Sequence, residues 1–389
     1  MGGEAPPSKS GAQTLNGASR TSTPIRPAPP AAFPREGGRL SRRLFIASSL
    51  ALAACDRPSI AGATASPDLP PLKSLAPFPI GACARSDQLD DPAWTALALR
   101  NLSQITPEWE MKMEAIVGDD GALGFEAADR LAAFTQQHGL RLHGHALIWY
   151  AQDNAYFRGL PPARFTAEYD RYIASVAGRY RGKVVSWDVV NEPVAEDGNG
   201  LRSSLWSERL GADGYMVRAF QQARAADPDA VLFLNDYNLE NLPAKGATFL
   251  RTVERLLKAG APIGGLGTQS HLDIEIPAGR IRDWMRDAAS LGLPIHVSEL
   301  DASLRGERRL DMRTPAQRRT QQTARVGELA GAFMALPERQ RFAFTVWGLR
   351  DTDSWLRRGE RDDGEDSPLP FDAAGRPNPM ARTLADAFR

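Results

Sequence analysis

Two glutamates stand where apolar segments end, and their side chains could do chemistry. The stretch VVSWDVVNEP (184–193) stops on Asn191 and Glu192, and PIHVSELD (294–301) ends with Glu299 and Asp301. A carboxylate at the end of a buried strand is costly unless it is paired or hydrated. Two carboxylates on opposite walls of one site can hydrolyse a glycosidic bond, because one protonates the leaving oxygen while the other attacks the anomeric carbon or activates water. The pattern predicts Glu192 and Glu299 as a catalytic pair.

Polar and aromatic residues also end most of the other apolar segments. Taken singly they have plainer interpretations: Glu108 fits a loop cap or salt bridge, Asn235 and Asn238 fit turns, and Trp149 and Trp347 fit packing. Taken together, they predict one rim on which hydroxyl-binding groups lie beside aromatic rings, a combination suited to a sugar. The candidate residues on this rim are Glu108, Lys112, His145, Trp149, Asn191, Tyr237, Gln269, His271, Trp347 and Trp355.

The spacing around Glu299 suggests how its charge is supported. Residues i and i+2 of a strand share a face, so Asp301 should point to the same side as Glu299. His271 ends the preceding strand, and a chain Asp301–His271–Glu299 would keep the Glu299 carboxylate ionised and oriented. Glu192 follows an apolar run, a setting that favours a protonated general acid.

Eight short apolar segments alternate with amphipathic ones from residue 77 onward. Most lack alternation, as is typical of strands buried on both faces of a parallel sheet. Eight such units predict an α/β fold, a single (β/α)₈ barrel over 77–389, with the functional residues at the carboxyl ends of its strands. The strands are predicted at 78–84, 102–108, 140–149, 184–192, 230–238, 264–272, 294–301 and 342–349. Helices are predicted at 125–139, 165–180, 214–227 and 278–292, with a closing helix in 378–389.

The amino-terminal residues have the features of an export signal. Residues 1–40 are rich in Gly, Pro, Ala, Ser and Thr and are predicted to be disordered. Ser41 begins a twin-arginine pattern followed by a short apolar run that ends in Leu-Ala-Ala-Cys, which resembles a lipoprotein cleavage box with Cys55 as the lipidated residue. We therefore expect a signal at 41–55, a Pro/Ala-rich tether at 56–76, and a periplasmic or membrane-anchored lipoprotein.

Composition narrows the possible partners. Lysine and arginine number 47 and aspartate and glutamate number 47, so the chain has no basic excess of the kind that nucleic-acid binders usually show. If Cys55 belongs to the signal, Cys83 is left alone and no disulfide framework is available. We expect no cofactor and no metal, membrane contact only through the lipid anchor, and a monomer.

From about residue 78 to 389 the chain resembles glycoside hydrolase family 10, the barrel endo-β-1,4-xylanases. The motifs that carry the resemblance occur in the family's order and spacing: TPEWEMK (106–112), HGHALIWYAQ (143–152), WDVVNEP (187–193), NDYN (235–238), QSHLD (269–273), HVSELD (296–301), VWGLRDTDSW (346–355) and PLPFD (368–372).

This resemblance implies a retaining endo-1,4-β-xylanase acting on xylan or xylo-oligosaccharides. Glu192 would be the acid/base and Glu299 the nucleophile that forms a glycosyl-enzyme. Asn191 would bind the 2-hydroxyl of the sugar at the cleavage point, Gln269 and His271 would flank the nucleophile, and Glu108 would touch the next sugar outward. The glycone side would be lined by His145, Lys112, Trp347 and Trp355.

Four positions depart from the family pattern. Trp109 replaces the usual Asn after the first Glu, Met113 replaces Trp, His143 replaces Arg and Tyr150 replaces His. None belongs to the catalytic pair. Our hypothesis is that Trp109 offers a stacking face or narrows the glycone subsite.

Three alternatives compete with this interpretation. His143 and His145 form an H-x-H pair that His271 could join in a metal-dependent hydrolase. The chain could also be a sugar-binding lipoprotein without catalysis, or a retaining barrel hydrolase specific for another β-glucan or a mannan.

Overall fold

Eight parallel strands form a closed barrel, as the apolar segments predict. A computed structural model describes residues 69–305, 311–358 and 364–389, and in it β1 pairs with both β2 and β8. Each predicted segment overlaps one strand, so the (β/α)₈ architecture is confirmed. The strands are β1 (Ile80–Ala84), β2 (Gln104–Pro107), β3 (Arg141–Trp149), β4 (Ser186–Asn191), β5 (Val231–Asp236), β6 (Gly265–Thr268), β7 (Ile295–Leu300) and β8 (Arg341–Val346).

Helices surround the barrel, and the five predicted ones are present. Within the described residues the α-helices are α1 (Leu72–Leu75), α2 (Pro92–Asn101), α3 (Met113–Ile116), α4 (Glu126–Gln137), α5 (Ala155–Gly159), α6 (Pro162–Arg179), α7 (Leu205–Leu210), α8 (Gly214–Ala226), α9 (Pro243–Lys258), α10 (Arg280–Ala289), α11 (Pro315–Met334) and α12 (Pro379–Ala387).

Three of the helices that the apolar periodicity did not single out, α2, α9 and α11, begin at proline. The Asp91 side chain caps α2 by accepting from the backbone N–H of Ala93 and Trp94. Thr314 caps α11 in a capping box with Gln317. A capping side chain followed by proline is a helix start that sequence alone can show, whereas α9 follows Leu242, which makes no side-chain cap.

One glycine shows how closely the barrel wall is packed. Gly144 of β3 pairs with Trp187 of β4, and a Cβ atom at Gly144 would lie 2.1 Å from the indole ring. Trp187 is fully buried. A side chain at Gly144 therefore cannot be accommodated unless the tryptophan moves.

The folded domain begins earlier than the sequence indicates. The predicted tether extends to residue 76, but Leu69 and Leu72 are buried, and the Leu72 N–H donates to Asn101 Oδ1 at 3.2 Å. Packing of these leucines places residues 69–76 with the barrel domain. The lead, the signal with Cys55, and the rest of the tether lie outside the described residues. Among the helices that the structure describes, none is long and apolar enough to cross a membrane.

Candidate active site

Glu192 comes directly after β4 in an unusual backbone conformation. Its φ is 58°, in the left-handed region that non-glycine residues seldom occupy. The Glu192 N–H donates to the Asn235 carbonyl at 2.7 Å, and its carbonyl accepts from Arg202 Nε at 3.1 Å. Strain of this kind persists only where surrounding contacts hold it, and it is concentrated at functional sites. The side chain is 8% exposed, and its Oε1 accepts from Asn191 Nδ2 and Gln269 Nε2, both at 3.0 Å.

Glu299 lies in β7 with its carboxylate inside the same rim. Its Oε1 accepts from Asn235 Nδ2 at 2.8 Å. Its Oε2 lies 3.5 Å from His271 Nε2, and His271 Nδ1 lies 2.9 Å from Asp301 Oδ1. The structure thus contains the chain Asp301–His271–Glu299 that the strand spacing suggests. The other Asp301 oxygen accepts from Trp355 Nε1 at 2.8 Å.

Charge around Glu299 favours its ionised form. Burial alone raises the pKa of this carboxyl, but His145, His271 and Lys112 together lower it below its ordinary value. Burial likewise opposes the charge of His271, yet Asp301 and Glu299 raise the pKa of His271 to about 10. The pair is therefore an imidazolium beside a carboxylate at neutral pH.

Three amide side chains connect the two glutamates. Asn235 Nδ2, which donates to Glu299, also lies 2.9 Å from Asn191 Oδ1. Gln269 Nε2, which donates to Glu192, lies 3.2 Å from the same Asn191 oxygen. Interpreting Asn235 as a turn residue is wrong, since it is fully buried in β5; Asn238, with φ 57°, does occupy left-handed backbone after the strand.

Beneath the rim, Asp188 joins the two histidines of the H-x-H pair. Asp188 Oδ2 lies 3.0 Å from His143 Nε2 and 2.8 Å from His145 Nδ1. Burial raises the pKa of Asp188, but the two histidines outweigh it and lower the pKa. The second nitrogen of His143, Nδ1, lies 2.7 Å from Ser186 Oγ. Both ring nitrogens of His143 are thus engaged within the protein.

These contacts argue against the metal-dependent alternative to the two-glutamate interpretation. Both ring nitrogens of His143 already contact protein groups, so neither is available to bind a metal ion, and both nitrogens of His271 face carboxylates. In the described part of the chain, the one donor cluster compact enough for a metal ion is His145, Asp188 and Glu299, with one atom of each within 4.8 Å of the others. There the Asn235 Nδ2 donor lies 3.4 Å from Asp188 Oδ2 and 2.8 Å from Glu299 Oε1, so an amide occupies the bridging position of that cluster.

One wall of the rim is aromatic with a single ammonium group at its centre. Lys112 Nζ lies 4.8 Å from the ring centre of Trp149, 5.9 Å from that of Trp347 and 5.8 Å from that of Trp109. Trp347 is buried against His145, whereas Trp109 and Trp355 are 38% and 46% exposed. The exposed indoles are surfaces on which a sugar ring could stack.

Glu108 and Tyr237, two further predicted site residues, have protein partners at the rim. Arg358 contacts both carboxylate oxygens of Glu108, at 2.7 and 2.8 Å, and Arg85 lies 3.5 Å away. The Tyr237 hydroxyl accepts from Arg202 Nη2 at 2.6 Å and contacts Glu196. All predicted site residues except Cys55, which lies outside the described part of the chain, therefore belong to one rim.

Residues that the sequence analysis missed are Asp188, Arg202, Arg358 and Lys245, whose Nζ lies 3.0 Å from Asp236 Oδ1 and 3.4 Å from the centre of the Tyr237 ring. Asp188 carried a signal, because a charged residue interrupts the apolar strand WDVVN. Arg202, Lys245 and Arg358 lie on loops or at the start of a helix, where charged residues are common, and only the folded chain shows what they contact.

Comparison with known proteins agrees with this geometry. The model of the family described as "Glycosyl hydrolase family 10" matches residues 73–387. The chain is 34% identical over 346 residues to endo-1,4-beta-xylanase A of Cellvibrio japonicus, a match that covers 82% of this chain and 56% of that protein. It is 32% identical over 314 residues to an endo-1,4-beta-xylanase of Geobacillus stearothermophilus, covering 78% of this chain and 93% of the relative.

Solved structures show the same fold. A thermostable mutant of the xylanase Xyn10A from Cellvibrio japonicus superposes with a TM-score of 0.72 at 32% identity, covering 82% of this chain and 99% of that one. Against the first two curated relatives, the chain spans 56% and 30% of their length.

Proposed function

Because the chain belongs to glycosyl hydrolase family 10, we propose that it is an endo-1,4-β-xylanase that hydrolyses internal bonds of xylan with retention of configuration. The observation that carries the proposal is the contrast between two buried carboxyls on one rim. Glu299 is surrounded by groups that lower its pKa, while Oε1 of Glu192 contacts two neutral amides. A retaining glycosidase needs one ionised nucleophile and one proton donor.

The reaction proceeds in two displacements. In the first, a Glu299 oxygen forms a bond to the anomeric carbon while the glycosidic bond breaks, and the Glu192 proton passes to the departing oxygen. In the second, Glu192 takes a proton from water as that water attacks the anomeric carbon and Glu299 leaves. The imidazolium of His271, 3.5 Å from Glu299, stabilises the carboxylate at the start and end of this cycle.

Substrate binding follows from the walls of the rim. Asn191, which contacts Glu192 directly and Glu299 through Asn235, would bind the 2-hydroxyl of the reacting sugar. Lys112, His145, Trp347 and Trp355 would line the glycone side, with Trp149, Gln269 and Tyr237 around them. The Arg358–Glu108 pair and the exposed Trp109 would bound the next sugar position.

The first test is sugar release from xylan by residues 65–389, with EDTA and without it. We expect activity that survives chelation, since the proposed chemistry uses only side chains. Glu299→Ala and Glu192→Ala should each abolish release, while Glu338→Ala, exposed just before β8 at the opposite end of the barrel, should retain it. Loss of activity with EDTA, or an active Glu299→Ala, would refute the proposal.

Azide separates the two roles, because it can act as a nucleophile that needs no general base. In Glu192→Ala with an activated aryl xylobioside, azide should give a β-glycosyl azide from the glycosyl-enzyme. In Glu299→Ala the same reagent should give the α-product. Parallel assays on mixed-linkage β-glucan and mannan cover the alternative substrates, and binding of xylan without hydrolysis would indicate a sugar-binding protein.

We also propose export through the twin-arginine signal, lipidation at Cys55 and a monomeric chain. Metabolic labelling with an alkynyl fatty acid should mark the full chain but not Cys55→Ser, and replacing Arg42 and Arg43 with lysine should retain the protein in the cytoplasm. A labelled Cys55→Ser chain would contradict lipidation at this residue. Light scattering of the purified protein should give a mass near that of one chain.

A further inference from the structure

A buried ion pair lies next to the segment that carries Glu192. Lys245, near the start of α9, places its Nζ 3.0 Å from Asp236 Oδ1 and 3.4 Å from the centre of the Tyr237 ring. Both members of the pair are fully buried. A buried ion pair contributes little net stability, because desolvation offsets the attraction between the charges. The contacts of this pair therefore need another explanation.

Asp236 and the start of α9 contact the segment that follows Glu192 and hold it in position. Asp236 Oδ2 accepts from the backbone N–H of Val194 at 3.0 Å, two residues beyond Glu192. Further along, Gly198 packs against the backbone of Lys245, where an added Cβ would lie 2.6 Å from the Lys245 nitrogen. Thr248 Oγ1 donates to the Gly198 carbonyl at 2.6 Å. The loop after Glu192 is thus attached to the first turns of α9.

The same pair reaches Glu192 from the other side through Tyr237. Lys245 lies on the Tyr237 ring, whose hydroxyl accepts from Arg202 Nη2 at 2.6 Å. Arg202 Nε donates to the Glu192 carbonyl at 3.1 Å. The backbone around Glu192 is therefore held at two points. Arg202, which contacts Tyr237, binds the Glu192 carbonyl, and Asp236 binds the Val194 N–H. Lys245 contacts both Tyr237 and Asp236.

The pair is also within electrostatic range of the Glu192 carboxyl. Burial raises the pKa of Asp236, Lys245 lowers it, and Glu192 raises it further, with a result of about 6. The Lys245 ammonium group offsets the charge of Asp236, which lies within the electrostatic range of Glu192. Glu196 and Arg202 complete the charged groups that surround Tyr237.

We propose that Lys245 and Asp236 are positioning residues for the general acid, holding Glu192 where its proton reaches the departing oxygen. The proposal rests on the function proposed above, in which Glu192 is that acid. In the first displacement the proton moves from Glu192 to the glycosidic oxygen as the bond from Glu299 to carbon forms. Misplacing Glu192 impairs that transfer without removing the nucleophile or the sugar-binding wall.

The test compares two aryl β-xylobiosides with leaving groups of different acidity. Dinitrophenolate leaves without a proton, whereas phenolate needs one. In Lys245→Met we expect kcat/KM on the phenyl substrate to fall ~10²-fold or more, the range that general acid catalysis contributes. On the dinitrophenyl substrate it should fall less than about 3-fold, because the nucleophile is intact. If the role of Lys245 were purely structural, kcat/KM would fall by the same factor on both substrates.

Removing one partner of a buried pair can unfold a protein, so a second variant carries the same test. Lys245→Met combined with Asp236→Asn removes both charges, a change that is often nearly neutral for stability, and Asn keeps an oxygen for the Val194 N–H. We expect the same selective loss, by at least about 10-fold between the substrates. Lys258→Met, exposed at the end of α9, is the matched control and should behave as wild type.

Glu192→Ala distinguishes failure of this proposal from failure of the proposed function. If Glu192→Ala lowers kcat/KM equally on the phenyl and dinitrophenyl substrates, Glu192 is not the acid and the proposed function fails. If Glu192→Ala shows the selective loss and the folded double variant does not, only the positioning role of Lys245 and Asp236 is overturned.

Discussion

The substitution Asp301→Asn should lower the pKa of His271. His271 lies between two carboxylates, 2.9 Å from Asp301 and 3.5 Å from Glu299, which raise its pKa from 6.5 to about 10. That rise corresponds to ~5 kcal/mol in favour of the imidazolium. At an effective dielectric constant of ~20, a unit charge at the Asp301 distance contributes about 6 kcal/mol before the burial penalty is subtracted.

Losing about 6 kcal/mol corresponds to ~4 pKa units, and the burial penalty remains in the variant. We therefore expect the pKa of His271 to fall from about 10 to near its ordinary value of 6.5 in Asp301→Asn. Asparagine keeps an oxygen that can accept from Trp355 Nε1, so the aromatic contact survives the change. Trp355→Phe is the matched control, because it removes that hydrogen bond and leaves the Asp301 charge in place.

The measurement is a titration of imidazole nitrogen signals by NMR. The chain has 5 histidines, few enough to assign. The imidazolium contributes stability that is fully present below pH 6.5 and is lost as pH rises toward about 10. In Asp301→Asn that loss should be complete at lower pH. A wild-type His271 that titrates near its ordinary pKa, or a pKa that Asp301→Asn leaves unchanged, would refute the reasoning.

Two further substitutions test the substrate wall and the barrel packing. Trp109→Asn should lower kcat/KM about 2- to 10-fold on xylo-oligosaccharides long enough to reach this indole, since ring stacking contributes ~0.5–1.5 kcal/mol; an unchanged chain-length preference would contradict the stacking hypothesis. Gly144→Ala should destabilise the protein by ~1–3 kcal/mol or more in urea unfolding, because its Cβ would lie 2.1 Å from Trp187. Gly178→Ala, in α6 with no atom within 4 Å of the added Cβ, should instead add up to ~1 kcal/mol, and equal effects of the two would contradict the packing argument.

The sequence predicted the barrel because its strands are buried on both faces and appear as continuous apolar runs. Strand geometry then placed Asp301 on the side of Glu299, and the structure contains the contact with His271. Helix starts were harder to find, since α9 has no side-chain cap, although Asp91 and Thr314 do mark α2 and α11. The periodicity of apolar residues reports which residues are buried, so it located the helices and strands more accurately than it located their ends.

The sequence analysis missed several site residues because their contacts depend on strand register and on loop conformation. His145 meets Asp188 because these residues are paired between β3 and β4, and that register results from how the closed barrel staggers its strands. Arg358 reaches Glu108 across 250 residues of chain. Asn235 was ambiguous for a different reason: asparagine after an apolar run is typical of a turn, and only its buried contact with Glu299 shows otherwise.

The surroundings of the two glutamates support one assignment of roles over its reverse. His145, His271 and Lys112 lower the pKa of Glu299, whereas Oε1 of Glu192 accepts from the neutral side chains of Asn191 and Gln269. Exchanging the roles would require the proton to reside on the carboxyl that these groups keep ionised. The amides that connect the two sites can donate to a carboxylate or face a carboxylic acid without a change of charge. The arrangement therefore supports Glu299 as the ionised nucleophile of the proposed mechanism on electrostatic grounds that are independent of the family match, and Glu192 is then the carboxyl left to act as the acid.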